Sequence, residues 1–145
     1  MNFRSTALLL PLALSLSAGA ALAVPKAAPR YATFDHSSEA LADKAAAEAL
    51  WAESLPVARL SKLYPLKKFG FVSEVEGGFD ASKTCVVTAR AMLLPLAGKS
   101  FIFKPVKTAT AYEALPNASM EQCRALAKTK LRDAIQAVAA SLLPN

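Results

Sequence analysis

TCVVTARAMLL, residues Thr84 to Leu94, is the stretch on which the fold turns. Its side chains alternate strictly. Cys85, Val87, Ala89, Ala91 and Leu93 share one face of a strand, and Thr84, Val86, Thr88, Arg90 and Met92 share the other. Further on, Ser119-Met120-Glu121-Gln122 fits the capping box that opens a helix, with Ser119 as N-cap. From there to about Leu143, Cys123, Ala127, Leu131, Ala134, Ile135, Val138 and Leu142 fall on one stripe, and Lys128, Thr129, Arg132, Asp133 and Gln136 lie opposite. Cys85 and Cys123 are the chain's 2 cysteines, so in an oxidising compartment they pair. That bond docks the helix stripe on the Cys85 face of the strand, with Ala89 and Ala91 leaving room for close approach. Its loop closure is worth on the order of 4 kcal/mol. The spacing is not C-x-x-C, so the bridge reads as a staple and not as a redox dithiol.

Working outward, KKFGFVSEVEGGFD also alternates, with Phe69, Phe71, Ser73 and Val75 on one side, and Gly77-Gly78 is expected to end this strand. Pro95 to Gly98 turns the chain, and Ser100 to about Thr108 is expected as a third strand, held to an edge by Pro105. Before the strands, Ser37 or Ser38 offers an N-cap to an Ala-rich helix reaching about Ser54 and stopped near Pro56. Val57, Leu60 and Tyr64 suggest a short second helical piece ended by Pro65. The expected fold class is α+β: a small antiparallel three-stranded sheet flanked by the N-terminal Ala-rich helix and the C-terminal amphipathic helix, in the order α-β-β-β-α with one disulfide. The domain spans 37–145, after an extended arm over 24–36. The second sheet face is apolar enough to need a cover, either the Ala-rich helix, the first expectation, or another protein, a second copy or a lipid for which the face is the contact surface.

Residues 1–23 read as a signal peptide. Arg4 is the positive n-region, Thr6 to Leu16 is apolar, and Ala21-Leu22-Ala23 forms an A-x-A site, which places cleavage after Ala23. The apolar run is too short for a transmembrane anchor, and the residue after the cleavage point is Val24 rather than a lipid-bearing cysteine. The expectation is a periplasmic or secreted protein. The leader contains one charged residue, Arg4, so 17 basic residues become 16 against 11 acidic ones, a net charge of +5. Such an excess is compatible with an anionic envelope component but specifies none.

Gly98-Lys99-Ser100 resembles the end of a phosphate loop, but the first glycine of that motif falls on Leu93, and Phe101 onward reads as strand. The three residues are a hairpin turn. The single histidine, His36, follows Asp35 and is read as solvated, because consecutive residues rarely face one another. Glu74 and Glu76 share a strand face about 7 Å apart and read as solvated carboxylates. With one histidine and both cysteines committed, no His/Cys metal set can be assembled. No nucleophile motif is present, and no cofactor or nucleic-acid signature accompanies the charge. The expectation is a protein that is not an enzyme, with no cofactor. Asn117-Ala118-Ser119 matches a glycosylation acceptor but overlaps the capping box.

The remaining candidates are contact residues: Tyr64 with Lys67 and Lys68 beside it, and Arg90, Met92 and Phe103 on the second sheet face. Arg59, Lys62, Lys99, Lys104, Lys107, Lys128 and Arg132 read as solvated or edge-protecting charges. The functional expectation is a small exported interaction protein, such as an inhibitor, immunity-type or cell-envelope accessory factor. Its partner is another envelope protein or a second copy of itself. The alternative is a carrier of a small amphipathic or anionic ligand held between sheet and helix.

Overall fold

In a computed structural model, which describes residues 29–143, the chain runs β1 (Ala32–Asp35), α1 (Lys44–Ser54), α2 (Val57–Leu63), β2 (Phe69–Phe79), β3 (Cys85–Ala97), β4 (Ser100–Phe101), β5 (Lys107–Leu115) and α3 (Met120–Ser141). The expected leader, its cleavage point and the arm up to residue 28 lie outside the described residues. β3 is the spine of a five-stranded sheet. β2 pairs antiparallel along one side of it, from Phe69↔Pro95 to Phe79↔Cys85. On its other side β5 pairs antiparallel from Leu93↔Lys107 to Cys85↔Leu115, and β4 pairs beyond it at Leu96↔Phe101. β1 lies outside β2 and parallel to it, from Ala32↔Gly70 to Asp35↔Ser73. A parallel neighbour requires a long crossover, and α1 and α2 supply it.

α3 begins as its sequence dictates. The Ser119 hydroxyl accepts from the Gln122 N–H at 3.2 Å, and the Gln122 side chain accepts from the Ser119 N–H at 2.7 Å. Its stripe of Cys123, Ala127, Leu131, Ala134, Ile135 and Val138 is buried against Val87, Ala89, Ala91 and Leu93 of β3. The Cys85–Cys123 disulfide closes one end of that interface. α1 and α2 add Ala47, Leu50, Trp51 and Leu60 to the same core, where the Trp51 and Tyr31 rings pack on Phe71 at centroid distances of 4.8 and 5.0 Å.

Several expectations are corrected. The sheet has five strands and mixed pairing rather than three antiparallel ones. The end of the extended arm is β1. Its Asp35 carboxylate accepts from the Ser73 hydroxyl at 2.6 Å, and Ser73 in turn accepts from the Trp51 indole N–H at 3.2 Å. The expected third strand breaks after Phe101, because Pro105 lacks an N–H for the ladder; pairing resumes at Lys107 in β5, whose Ala109 and Ala111 face the helices. Finally, α1 starts at Lys44 on an Asp43 cap rather than at Ser37 or Ser38, and it packs on the same sheet face as α3, so it does not cover the second face. Ser37 instead donates to the Asp35 carboxylate, and the Ser38 N–H donates to the Val75 carbonyl, so the chain follows β2 before it turns.

β2 also runs through Gly77-Gly78 instead of ending there. Both glycines have positive φ, at 143° and 151°, and a Cβ on Gly77 would collide with the Val86 carbonyl, whereas a Cβ on Gly78 meets nothing. Gly77→Ala is therefore expected to lower stability by about 2 kcal/mol or more, and Gly78→Ala by clearly less. Urea midpoints of the two oxidised variants check this. Equal losses would mean that backbone strain alone, without the collision, sets the requirement for glycine.

Candidate functional site

Among the described residues all three helices pack on one side, so none of them covers the other face of the sheet, the helix-free face. Strand alternation and the pairing register place Phe34 of β1, Val72, Glu74 and Glu76 of β2, Val86, Thr88, Arg90, Met92 and Leu94 of β3, and Thr108, Thr110 and Tyr112 of β5 on it. One end is apolar. The two-residue turn Gly98-Lys99 folds β4 back so that Phe101 packs on Val72, Met92 and Leu94. A Cβ on Gly70 would come within 2.6 Å of the Phe101 ring, so the glycine makes room for that ring. The Val106 N–H donates to the Leu93 carbonyl at 2.9 Å and anchors the far end of the segment. Between these anchors Phe103 projects into solvent, 66% exposed. The His36 ring bridges Phe34 at 4.5 Å and Phe103 at 6.3 Å, and the Lys44 ammonium lies 5.9 Å above the Phe34 ring.

The middle of the face is polar. Arg90 and Glu74 are cross-strand partners and approach to 3.5 Å. Glu76 beside them is exposed, as is Tyr112 of β5, at 80%.

The six candidate contact residues divide between two places. Arg90, Met92 and Phe103 belong to the helix-free face, with Met92 buried in its small apolar cluster. Tyr64 belongs to the helix side. Its ring packs edge-on against Phe69 at 5.5 Å, and its carbonyl accepts the Tyr31 hydroxyl. Lys67 and Lys68 are exposed in the turn entering β2, where the Lys68 carbonyl accepts from the Leu96 N–H. Phe34 and Tyr112 join the face only because β1 and β5 are strands, which the expected three-stranded sheet does not include; the alternations in YATFD and TATAYEA are the signals that mark those two strands.

The groups considered for catalysis do not converge. His36 lies with the exposed aromatics, while the Asp35 carboxylate is engaged by Ser73 and Ser37 on the helix side. Glu74 is paired with Arg90. Among the described residues no group of three or more His, Cys, Asp or Glu side chains forms a metal-binding cluster, and no helix is long and apolar enough to cross a membrane.

A second feature lies on the helix side, beyond β1. A groove of about 490 Å³ runs between residues Pro29 to Thr33 and helices α1 and α2, with Tyr31, Trp51, Leu55, Val57 and Ala58 as apolar walls and Arg30 and Glu48 among its polar groups. Burial raises the Tyr31 phenol above its ordinary value of 10.0. A raised acid favours its neutral form in the fold, so this contribution is complete below pH 10 and is lost as pH rises towards the raised value. Tyr31→Phe is expected to flatten the alkaline fall in stability while costing about 1 kcal/mol at neutral pH through the hydrogen bond to Tyr64. Urea midpoints across the alkaline range measure both effects.

No family model matches the chain, and no curated protein matches it. Two solved structures of the PelC dodecamer from Paraburkholderia phytofirmans are loosely similar. One, of a point variant in space group C2, has 13% identity and a TM-score of 0.43 over 79% of this chain and 95% of that chain. The other, in space group P6, has 12% identity and a TM-score of 0.43 over 74% of this chain and 85% of that chain. At that level the likeness transfers neither residues nor role to this chain.

Proposed function

We propose that the protein is a small exported interaction protein of the cell envelope that docks a partner on the helix-free face of its sheet, and that it is not an enzyme. The observation that carries this reading is the placement of α1, α2 and α3 on one side, with Phe34 and Phe103 outward at one end of the other side and Tyr112 further along it. An exposed aromatic patch bordered by polar side chains marks a contact surface. The leader read from residues 1–23 and the Cys85–Cys123 bridge both accord with an oxidising compartment. The exposed turn Lys67-Lys68 adds a secondary contact for an anionic envelope component.

Exposed aromatic anchors carry a large share of binding energy when they are buried in a complex. The paired variant Phe34→Asp with Phe103→Asp is therefore expected to keep the wild-type melting temperature and to weaken partner binding about tenfold or more. The check is quantitative recovery of bound proteins from a periplasmic extract on immobilised, oxidised protein. Unchanged recovery by a folded variant overturns the reading.

The groove beside β1 favours a second reading, a carrier of a small amphipathic ligand, because its size and apolar walls suit such a molecule. Trp51, the single tryptophan, lines it. A saturable change in tryptophan emission on titration with a short-chain fatty acid is the expected signal of that role, and a flat titration removes it.

A further inference from the structure

The helix-free face is self-complementary about the line between β2 and β3. Across that line Val72 pairs with Met92, Glu74 with Arg90, and Glu76 with Thr88. β1 lies outside β2 on one side, and β4 with β5 lies outside β3 on the other. A two-fold axis along the strands at this line, in the plane between two facing sheets, exchanges β2 with β3 and β1 with β4 and β5. It lays the apolar end of one copy, where Phe34 and Phe103 are outward and Phe101 caps the buried Val72 and Met92, on the same end of the other. It also sets each Glu74 opposite the other copy's Arg90. An axis across the strands would instead stack Glu74 on Glu74 and Arg90 on Arg90, which like-charge repulsion disfavours.

We infer that the occupant of this face is a second copy of the chain, stacked sheet to sheet about that axis; the inference rests on the reading of this face as the contact surface. The charge distribution supports it. The mature chain carries a net charge of +5, whereas the strands bring only Glu74, Glu76 and Arg90 to this face and Lys44 reaches its edge over Phe34, so the face itself carries little net charge to repel a second copy. For the same reason the face has no cation cluster to select an acidic partner. The Glu74–Arg90 pair is loose, at 3.5 Å, with side chains 28% and 50% exposed, so each group retains capacity for a second, charge-assisted partner. The open part of the β3 platform, from Val86 to Arg90, is about 13 Å long, and the rings of Phe34, Phe101 and Phe103 extend the contact at the apolar end. Isologous contacts of this kind are the commonest in soluble oligomers.

The experiment is sedimentation velocity of the oxidised mature protein from about 1 to 200 µM, with native mass spectrometry of mixtures. Wild type is expected to shift from monomer to dimer across that range. Glu74→Arg and Arg90→Glu are each expected to weaken the dimer about tenfold or more. An equimolar mixture of the two variants is expected to associate again as a mixed dimer, because every cross-copy pair then joins opposite charges. The double variant E74R/R90E keeps the pair within each copy and is expected to dimerise as wild type does, which controls for folding. A wild type that stays monomeric, single variants that dimerise unchanged, or a mixture that fails to associate each overturns the inference. These outcomes are separate from the docking reading. A monomeric protein that loses a different partner on Phe34→Asp with Phe103→Asp removes the second copy and retains the docking face, whereas retention of that partner removes the face itself.

Discussion

The docking of α3 on β3 is the constraint from which the remaining arrangement follows. Alanines at 89, 91, 127 and 134 are all buried in this interface, and the Cys85–Cys123 bridge fixes its start. Small residues on both surfaces bring helix and sheet close together, and the aliphatic side chains of Leu131, Ile135 and Val138 fill the remaining space, each worth about 1.5–3 kcal/mol when fully buried. Once that face of β3 is occupied, the neighbouring strands must turn their apolar side chains the same way. Phe71 and Val75 on β2 and Ala109 and Ala111 on β5 do so.

A hydrogen-bond relay then decides where the N-terminal half goes. The Trp51 indole N–H is buried and needs an acceptor, and the Ser73 hydroxyl on β2 supplies it while donating to Asp35 on β1. The relay ties α1, β2 and β1 together on the helix side. With both Trp51 and Tyr31 packed on the Phe71 ring, α1 is held on the helix side. That face is left to the short β4 hairpin, which covers Val72, Met92 and Leu94 with one ring, Phe101, and leaves Phe34 and Phe103 outward. The exposed aromatic patch is thus a consequence of how the core was completed on the opposite side.

Much of this was legible in the sequence. The strict alternation in TCVVTARAMLL and the stripe from Cys123 to Leu142 fixed two elements and the faces they join, because a disulfide converts two local patterns into one long-range contact. The capping box at Ser119, the α2 turn between Pro56 and Pro65, and the Gly98-Lys99 hairpin were also readable, since each depends on side chains a few residues apart. Of the candidate contact residues, Arg90 and Phe103 reach the helix-free face and Met92 lies beneath it, whereas Tyr64 is drawn into the helix side by packing on Phe69.

Tertiary structure alone decided the rest. β1 is a four-residue strand whose parallel partner begins more than thirty positions later, so no local window contains the pairing that makes it a strand. β5 turns alanines inward and threonines and Tyr112 outward, a contrast too weak in hydrophobicity for periodicity to reveal. Five of the eleven residues of α1 are alanines spread around its circumference, so its sequence carries little preference for a face, and the Trp51–Ser73 bond supplied one. The sequence determined which residues would be buried where the pattern was strong and local. Which face of the sheet stayed open depended on contacts between segments that are far apart in the chain, and only the folded molecule brings those segments together.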